Sequence, residues 1–141
     1  MGSNPTSRIK KFLQIIEKLI IYHLIVGFMK RVEAVIEQNK LDAVVNALKK
    51  AGVGGITIFE AKGWGRATKL SRDAQKAPGS YSKFNLKSYV LTVVDDSIVD
   101  KVISAILDNA STGSVGDGKI FVDDINTAFD IGSRQKGIHA I

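Results

Sequence analysis

KSYVLTVVDDSIVDKVISAILDNASTGSVGDGKIFVDDI, residues 87–125, changes its hydrophobic period twice. Lys87 to Asp95 is dense in β-branched and apolar residues and reads as a strand. Asp96 to Asn109 switches to helical spacing, with Ile98, Val102, Ala105 and Ile106 on one face. Asp96 or Ser97 can cap the exposed N–H groups at its start. A glycine-rich connection follows, and Lys119 to Ile125 resumes as a strand.

The same strand–helix–strand unit precedes it. Arg31 to Gln38 alternates, with Val32, Ala34 and Ile36 on one face. Leu41, Val44, Val45 and Leu48 then form one helical stripe. Lys49 and Lys50 suit the negative end of that helix, and Gly52 can supply the left-handed residue that stops it. Gly55 to Lys62 is a further strand, and a weaker extended piece covers Ala128 to Ile131. The order β-α-β-β-α-β predicts an α+β, ferredoxin-like domain, with two helices on one face of a four-stranded antiparallel sheet. The other face still carries apolar side chains, from Val90 and Val93 or their alternates. Burial of that face against copies of the chain predicts an oligomer.

The chain has 141 residues, 45% of them hydrophobic and 24% charged, which suits one globular domain. It has no cysteine, so disulfides and thiolate metal sites are excluded, and a reducing compartment fits. Two histidines, His23 and His139, stand near opposite ends, so a histidine-built metal or acid–base centre is not indicated. The formal charge of +6 points to anionic partners or simply to solubility. No aromatic–basic or zinc-finger pattern indicates nucleic acid.

Residues 1–28 are of different character. Met1 to Ser7 reads as a flexible leader, and the apolar stretch from Leu19 to Phe28 is too short to span a bilayer. Three readings are open: an amphipathic helix packed on the domain or a partner, a membrane-surface anchor, or an extension upstream of a start at Met29. The domain pattern begins at Met29, which favours the last and gives a domain of residues 29–141.

Between the two halves runs a long connection, residues 63–89, too long for an ordinary turn. From Ala67 to Leu86 it carries Lys69, Arg72, Lys76 and Lys83 against Asp73, with Tyr81 and Phe84 as aromatic rings. It reads as an arm that docks on a partner or as a disordered insertion.

Gly113 to Lys119 fits the pattern GxxxxGK, but Ile120 stands where a magnesium-binding Ser or Thr belongs. A helix precedes the loop and a strand follows, the reverse of a P-loop, so a Walker ATPase is rejected. Backbone N–H groups of such a loop can still cradle an anion, with Lys119 adding a point charge.

TGSVGDGKIF, KGWGR and the closing Ala140-Ile141, in this order on a β-α-β-β-α-β frame, resemble the PII signal-transduction family from Met29 to Ile141. The resemblance implies a compact homotrimer with ATP or ADP, or AMP, in each cleft between subunits. A flexible T-loop, about residues 67–86, would report ligand state to a target such as an ammonium transporter or a metabolic enzyme. The B-loop, about residues 112–119, would cradle phosphates through Thr112, Gly116, Asp117, Gly118 and Lys119. Gly55 and Thr57 would sit near the adenine, Gly65 and Arg66 at the root of the T-loop, and Lys87 at its far root. Tyr81 lies close to the tyrosine that the family modifies. A regulator, not an enzyme, is expected, in the cytoplasm or membrane-associated through a partner, with nitrogen metabolism as its setting.

The chain departs from the family pattern at three places. Ala67 replaces a glutamine important for magnesium and 2-oxoglutarate, and Leu91 replaces a strand glutamate. Asp130-Ile131-Gly132 replaces a segment with two phosphate-reaching arginines, and a carboxylate there would repel phosphate. Magnesium and 2-oxoglutarate are therefore doubtful effectors, with bicarbonate or AMP as alternatives. A ferredoxin-like structural or metal-tolerance-type trimer without nucleotide control is the other class. The pairs Asp95/Asp96 and Asp123/Asp124 are read as strand ends and caps. Ser80 and Ser82 lack a base to activate them. Trp64 is read as packing at the loop root or lying partly exposed, and His139 as a tail residue.

Overall fold

A computed structural model describes residues 4–26, 28–65 and 84–141 of the chain. A long helix, α1 (Pro5–Val26), leads into β1 (Met29–Glu37), α2 (Leu41–Ala51), β2 (Thr57–Gly63), β3 (Asn85–Asp95), α3 (Val99–Ala110) and β4 (Gly118–Ile125). The four strands form one antiparallel sheet in the order β2-β3-β1-β4. This is the α+β arrangement expected from the repeated periodicity.

The alternation of β1 decides which face is buried. Val32, Ala34 and Ile36 point to the helix side, as do Val90 and Val94 of β3. Val44, Leu48 and Ala51 of α2 and Val102, Ile106 and Ala110 of α3 close over them. Each fully buried aliphatic side chain in this layer contributes about 1.5–3 kcal/mol. Val90 thus belongs to the core, whereas Val93 lies on the opposite face.

That opposite face is open in the single chain. Phe59 and Phe121 are about half exposed, at 54% and 51%. Phe59 packs at a tilt on Tyr89, with ring centroids 5.8 Å apart. Polar pairs thread the same face. The Tyr89 hydroxyl donates to Glu33, and Arg31 forks onto Asp123 with contacts of 3.3 and 2.5 Å.

Several boundaries differ from the sequence expectation. The helical segment after β3 opens with a 3-10 turn at Asp96–Ile98, and Asp95 is its cap, accepting the Ser97 N–H at 2.7 Å. Asp95 takes this role because the pairing of β3 with Met29 ends there. β2 starts at Thr57, because Gly55 is already committed elsewhere: its carbonyl accepts from the buried Thr92 hydroxyl at 2.7 Å. Of residues 128–131 only Phe129 makes a strand-like bridge, to Lys136. Gly52 ends α2 at φ +93°, donating back to Leu48 and Lys49 as expected.

Candidate functional site

The glycine-rich connection between α3 and β4 is folded around its own aspartate. Asp117 Oδ2 accepts the Thr112 N–H at 2.7 Å and the Ser114 N–H at 3.3 Å, and Oδ1 accepts the Thr112 hydroxyl at 2.6 Å. These donors, Thr112's hydroxyl foremost, hold the Asp117 carboxyl below its usual range. Its carboxylate oxygens are therefore engaged inside the loop. Gly113 and Gly116 take φ of +77° and +92°, which reverse the chain without a side-chain penalty.

Gly118 is the tightest point. Its φ is +132°, and a Cβ there would lie 1.8 Å from the Val35 carbonyl oxygen. Only glycine lets the loop join β4 while β4 pairs with β1 at Ile36. The glycine-rich turn is thus required by strand pairing as well as suited to an anion.

The strand order brings a second cation to this loop. Lys87 pairs across β1 with Glu37, and its side chain crosses the end of that strand. Its ammonium donates to the Gly116 carbonyl at 2.8 Å, while the Glu37 carboxylate stands 3.9 Å away. Lys87 is only 7% exposed. Its stem passes close over Gly63, where a Cβ would meet it at 3.0 Å. Lys119, exposed at the start of β4, adds another positive group. Lys87, held by the Gly116 carbonyl and paired with Glu37, and the exposed Lys119 thus place two ammonium groups beside the loop. Beside the loop a cavity of about 400 Å³ opens between α3 and β4, walled by Ile103, Ile106 and Leu107 and bordered by Asp117, Gly118 and Lys119.

The expected site residues fall into two groups. Thr112, Gly116, Asp117, Gly118, Lys119 and Lys87 gather at one end of the sheet, where Gly63 to Gly65 and Asn85 also mark the roots of the long connection. Gly55 and Thr57 lie on the β2 edge, whereas the loop feeds the β4 edge. Three strand spacings of about 4.8 Å separate those edges, roughly 14 Å. One chain does not bring the two groups together. Arg66, Ala67, Tyr81 and most of the long connection read as a T-loop lie outside the described residues. Leu91 pairs directly with Thr57 and with Glu33. Trp64 is 65% exposed.

Asp130 is engaged within its own turn. Its carboxylate accepts the Ser133 N–H at 2.6 Å and closes a turn in which Arg134 takes φ +63°. The Ser133 N–H holds its carboxyl below the usual range. Two features were not legible from the motif. Glu37 approaches Lys87 only because of the strand register. Asp117 acts as the loop's lock, a role that the Thr112–Asp117 spacing could have suggested once a compact turn was assumed.

A model of the family "Nitrogen regulatory protein P-II" matches residues 29–135. A nitrogen regulatory protein P-II of Azospirillum brasilense is 41% identical over 116 residues, covering 80% of this chain and all of that relative. Namesakes from Rhodospirillum rubrum and Bradyrhizobium diazoefficiens are 41% and 40% identical over the same shares. With its antiparallel β2-β3-β1-β4 sheet, its aspartate-locked glycine loop and these relatives, the chain belongs to the nitrogen regulatory PII family, whose members are regulatory proteins and not enzymes.

Proposed function

We propose that this regulator binds an adenine nucleotide, ATP or ADP with AMP as the alternative, in clefts between the subunits of a homotrimer. Residues 67–86 then carry the ligand state to a target, an ammonium transporter or a metabolic enzyme, as a cytoplasmic step in nitrogen regulation. One observation carries this reading: the glycine loop is held ready by Asp117, with Lys87 crossing to its Gly116 carbonyl. Preorganised amides and two ammonium groups suit a polyphosphate, because the polar groups need no reordering when the ligand arrives. The separation of Gly55 and Thr57 from the loop supports a shared site: a ligand that uses both needs a second chain. The apolar open face, with Phe59 and Phe121, supports association of copies.

Asp130-Ile131-Gly132 in place of an arginine-bearing segment favours an effector set other than magnesium-ATP with 2-oxoglutarate. Bicarbonate and AMP are the alternatives to include. The test is calorimetric titration with ATP, ADP and AMP, each with and without magnesium, 2-oxoglutarate and bicarbonate. Saturable heat with at least one adenylate at micromolar to low millimolar concentration is expected. No heat with any of them refutes the reading.

A further inference from the structure

The helix α1 has a use that the nucleotide site does not absorb. Ile9, Phe12, Leu13, Ile16, Leu19 and Ile20 recur at helical spacing and are all 36% exposed or more. They form a broad apolar stripe over residues 9–20, about 18 Å of the 22-residue helix. Lys10, Lys11, Gln14 and Lys18 occupy the opposite side. The helix carries Arg8, Lys10, Lys11 and Lys18 against a single acid, Glu17.

We infer that α1 lies in the plane of an anionic lipid surface, with this stripe among the acyl chains and its lysines at the headgroups. Among the described residues no helix is long and apolar enough to cross a membrane, so the geometry is one of lying on it. The four cations of α1 against one acid suit an anionic leaflet, whereas in a pair of helices seamed along the stripe the lysines would face away from each other and gain no partner. The stripe also covers about half of the circumference, with Ile15 and Leu24 widening it, more than a coiled-coil seam needs. An anionic leaflet meets both the apolar and the cationic side.

The position of α1 leaves the candidate site free. The helix enters the sheet at Met29, which pairs with Asp95 and Ile125, whereas the glycine loop and Lys87 lie at the Glu37 end of the same strand. Tyr22, near the end of α1, borders a separate cavity of about 310 Å³ with Asn126, Lys136 and His139. The inference is thus independent of the nucleotide reading.

The test uses the full chain in co-sedimentation with vesicles of phosphatidylcholine alone and with roughly 30% phosphatidylglycerol, at about 0.1 M salt. Binding to the anionic vesicles at least ten-fold tighter than to neutral ones is expected, weakening as salt rises. Each lysine at an anionic leaflet strengthens binding by roughly five-fold. Lys10→Glu/Lys11→Glu/Lys18→Glu should therefore lose on the order of 100-fold. Phe12→Asp should also abolish pelleting, and an unchanged unfolding midpoint in both variants confirms an intact domain. Absence of pelleting, equal binding to neutral vesicles, or indifference to the lysine reversals overturns the inference. So does an oligomer that dissociates on Ile16→Asp without any lipid binding, which makes a second copy the occupant. A cellular protein whose N-terminus maps to Met29 overturns it as well.

Discussion

Replacing Gly118 by alanine tests the link between strand pairing and the candidate site. The new Cβ would lie 1.8 Å from the Val35 oxygen and 2.9 Å from its carbonyl carbon. Carbon meets a carbonyl oxygen at about 3.3–3.6 Å, so the two backbones must part by roughly 1.5 Å. The neighbour is backbone of the interior strand β1, which cannot rotate away as a side chain would. A non-glycine residue at φ +132° adds strain of about 1–3 kcal/mol. One weakened ladder hydrogen bond adds about 0.5–1.5 kcal/mol. The expected loss in urea unfolding is therefore about 2–4 kcal/mol, together with weaker adenylate binding because the loop is displaced. Gly113→Ala is the control, since its φ is +77° but nothing lies within 4 Å of the new Cβ. It should cost only about 1–2 kcal/mol of left-handed strain. Equal midpoints for the two variants, or a Gly118→Ala protein as stable as the parent, would refute the reasoning.

Lys119→Ala should weaken adenylate binding by about 1–3 kcal/mol in calorimetry, the range for a charge-assisted contact, with little effect on unfolding. Ile106→Ala empties a position only 2% exposed between α3 and the sheet, so urea unfolding should show a loss of about 2–5 kcal/mol. The Asp117 carboxyl has a lowered folded-state pKa, so its contribution is complete above about pH 4 and is lost as pH falls through that lowered value. Amide protection of Thr112 and Ser114 should drop over that acid range in the parent and show no such step in Asp117→Asn. A parent protein with flat protection there counts against the lock.

The frame of the domain was legible because two independent signals agree. Alternation at Val32, Ala34 and Ile36 and helical spacing at Val102 and Ile106 both mark the buried side, and those residues form one core. Cap choice was less legible: Asp95, Asp96 and Ser97 are all competent caps, and only the length of the β1–β3 ladder selects Asp95. For α1, periodicity was visible, but whether the stripe packs on the domain is a tertiary matter, and the stripe's side chains, Ile9 to Ile20, are exposed. In the candidate site, the glycines and Lys119 could be found from local chemistry. The meeting of Lys87 with Gly116 could not, since it depends on β3 lying beside β1 and β1 beside β4.

The two sheet edges carry a further consequence. A nucleotide that touches Thr57 on one edge and Gly116 to Lys119 on the other makes ligand uptake and self-association a single equilibrium. By thermodynamic reciprocity, whatever the assembled state adds to affinity for the nucleotide, the nucleotide returns to the assembly. Dilution should then loosen the grip on the ligand, and saturating ligand should keep the particle together at concentrations where the empty one falls apart.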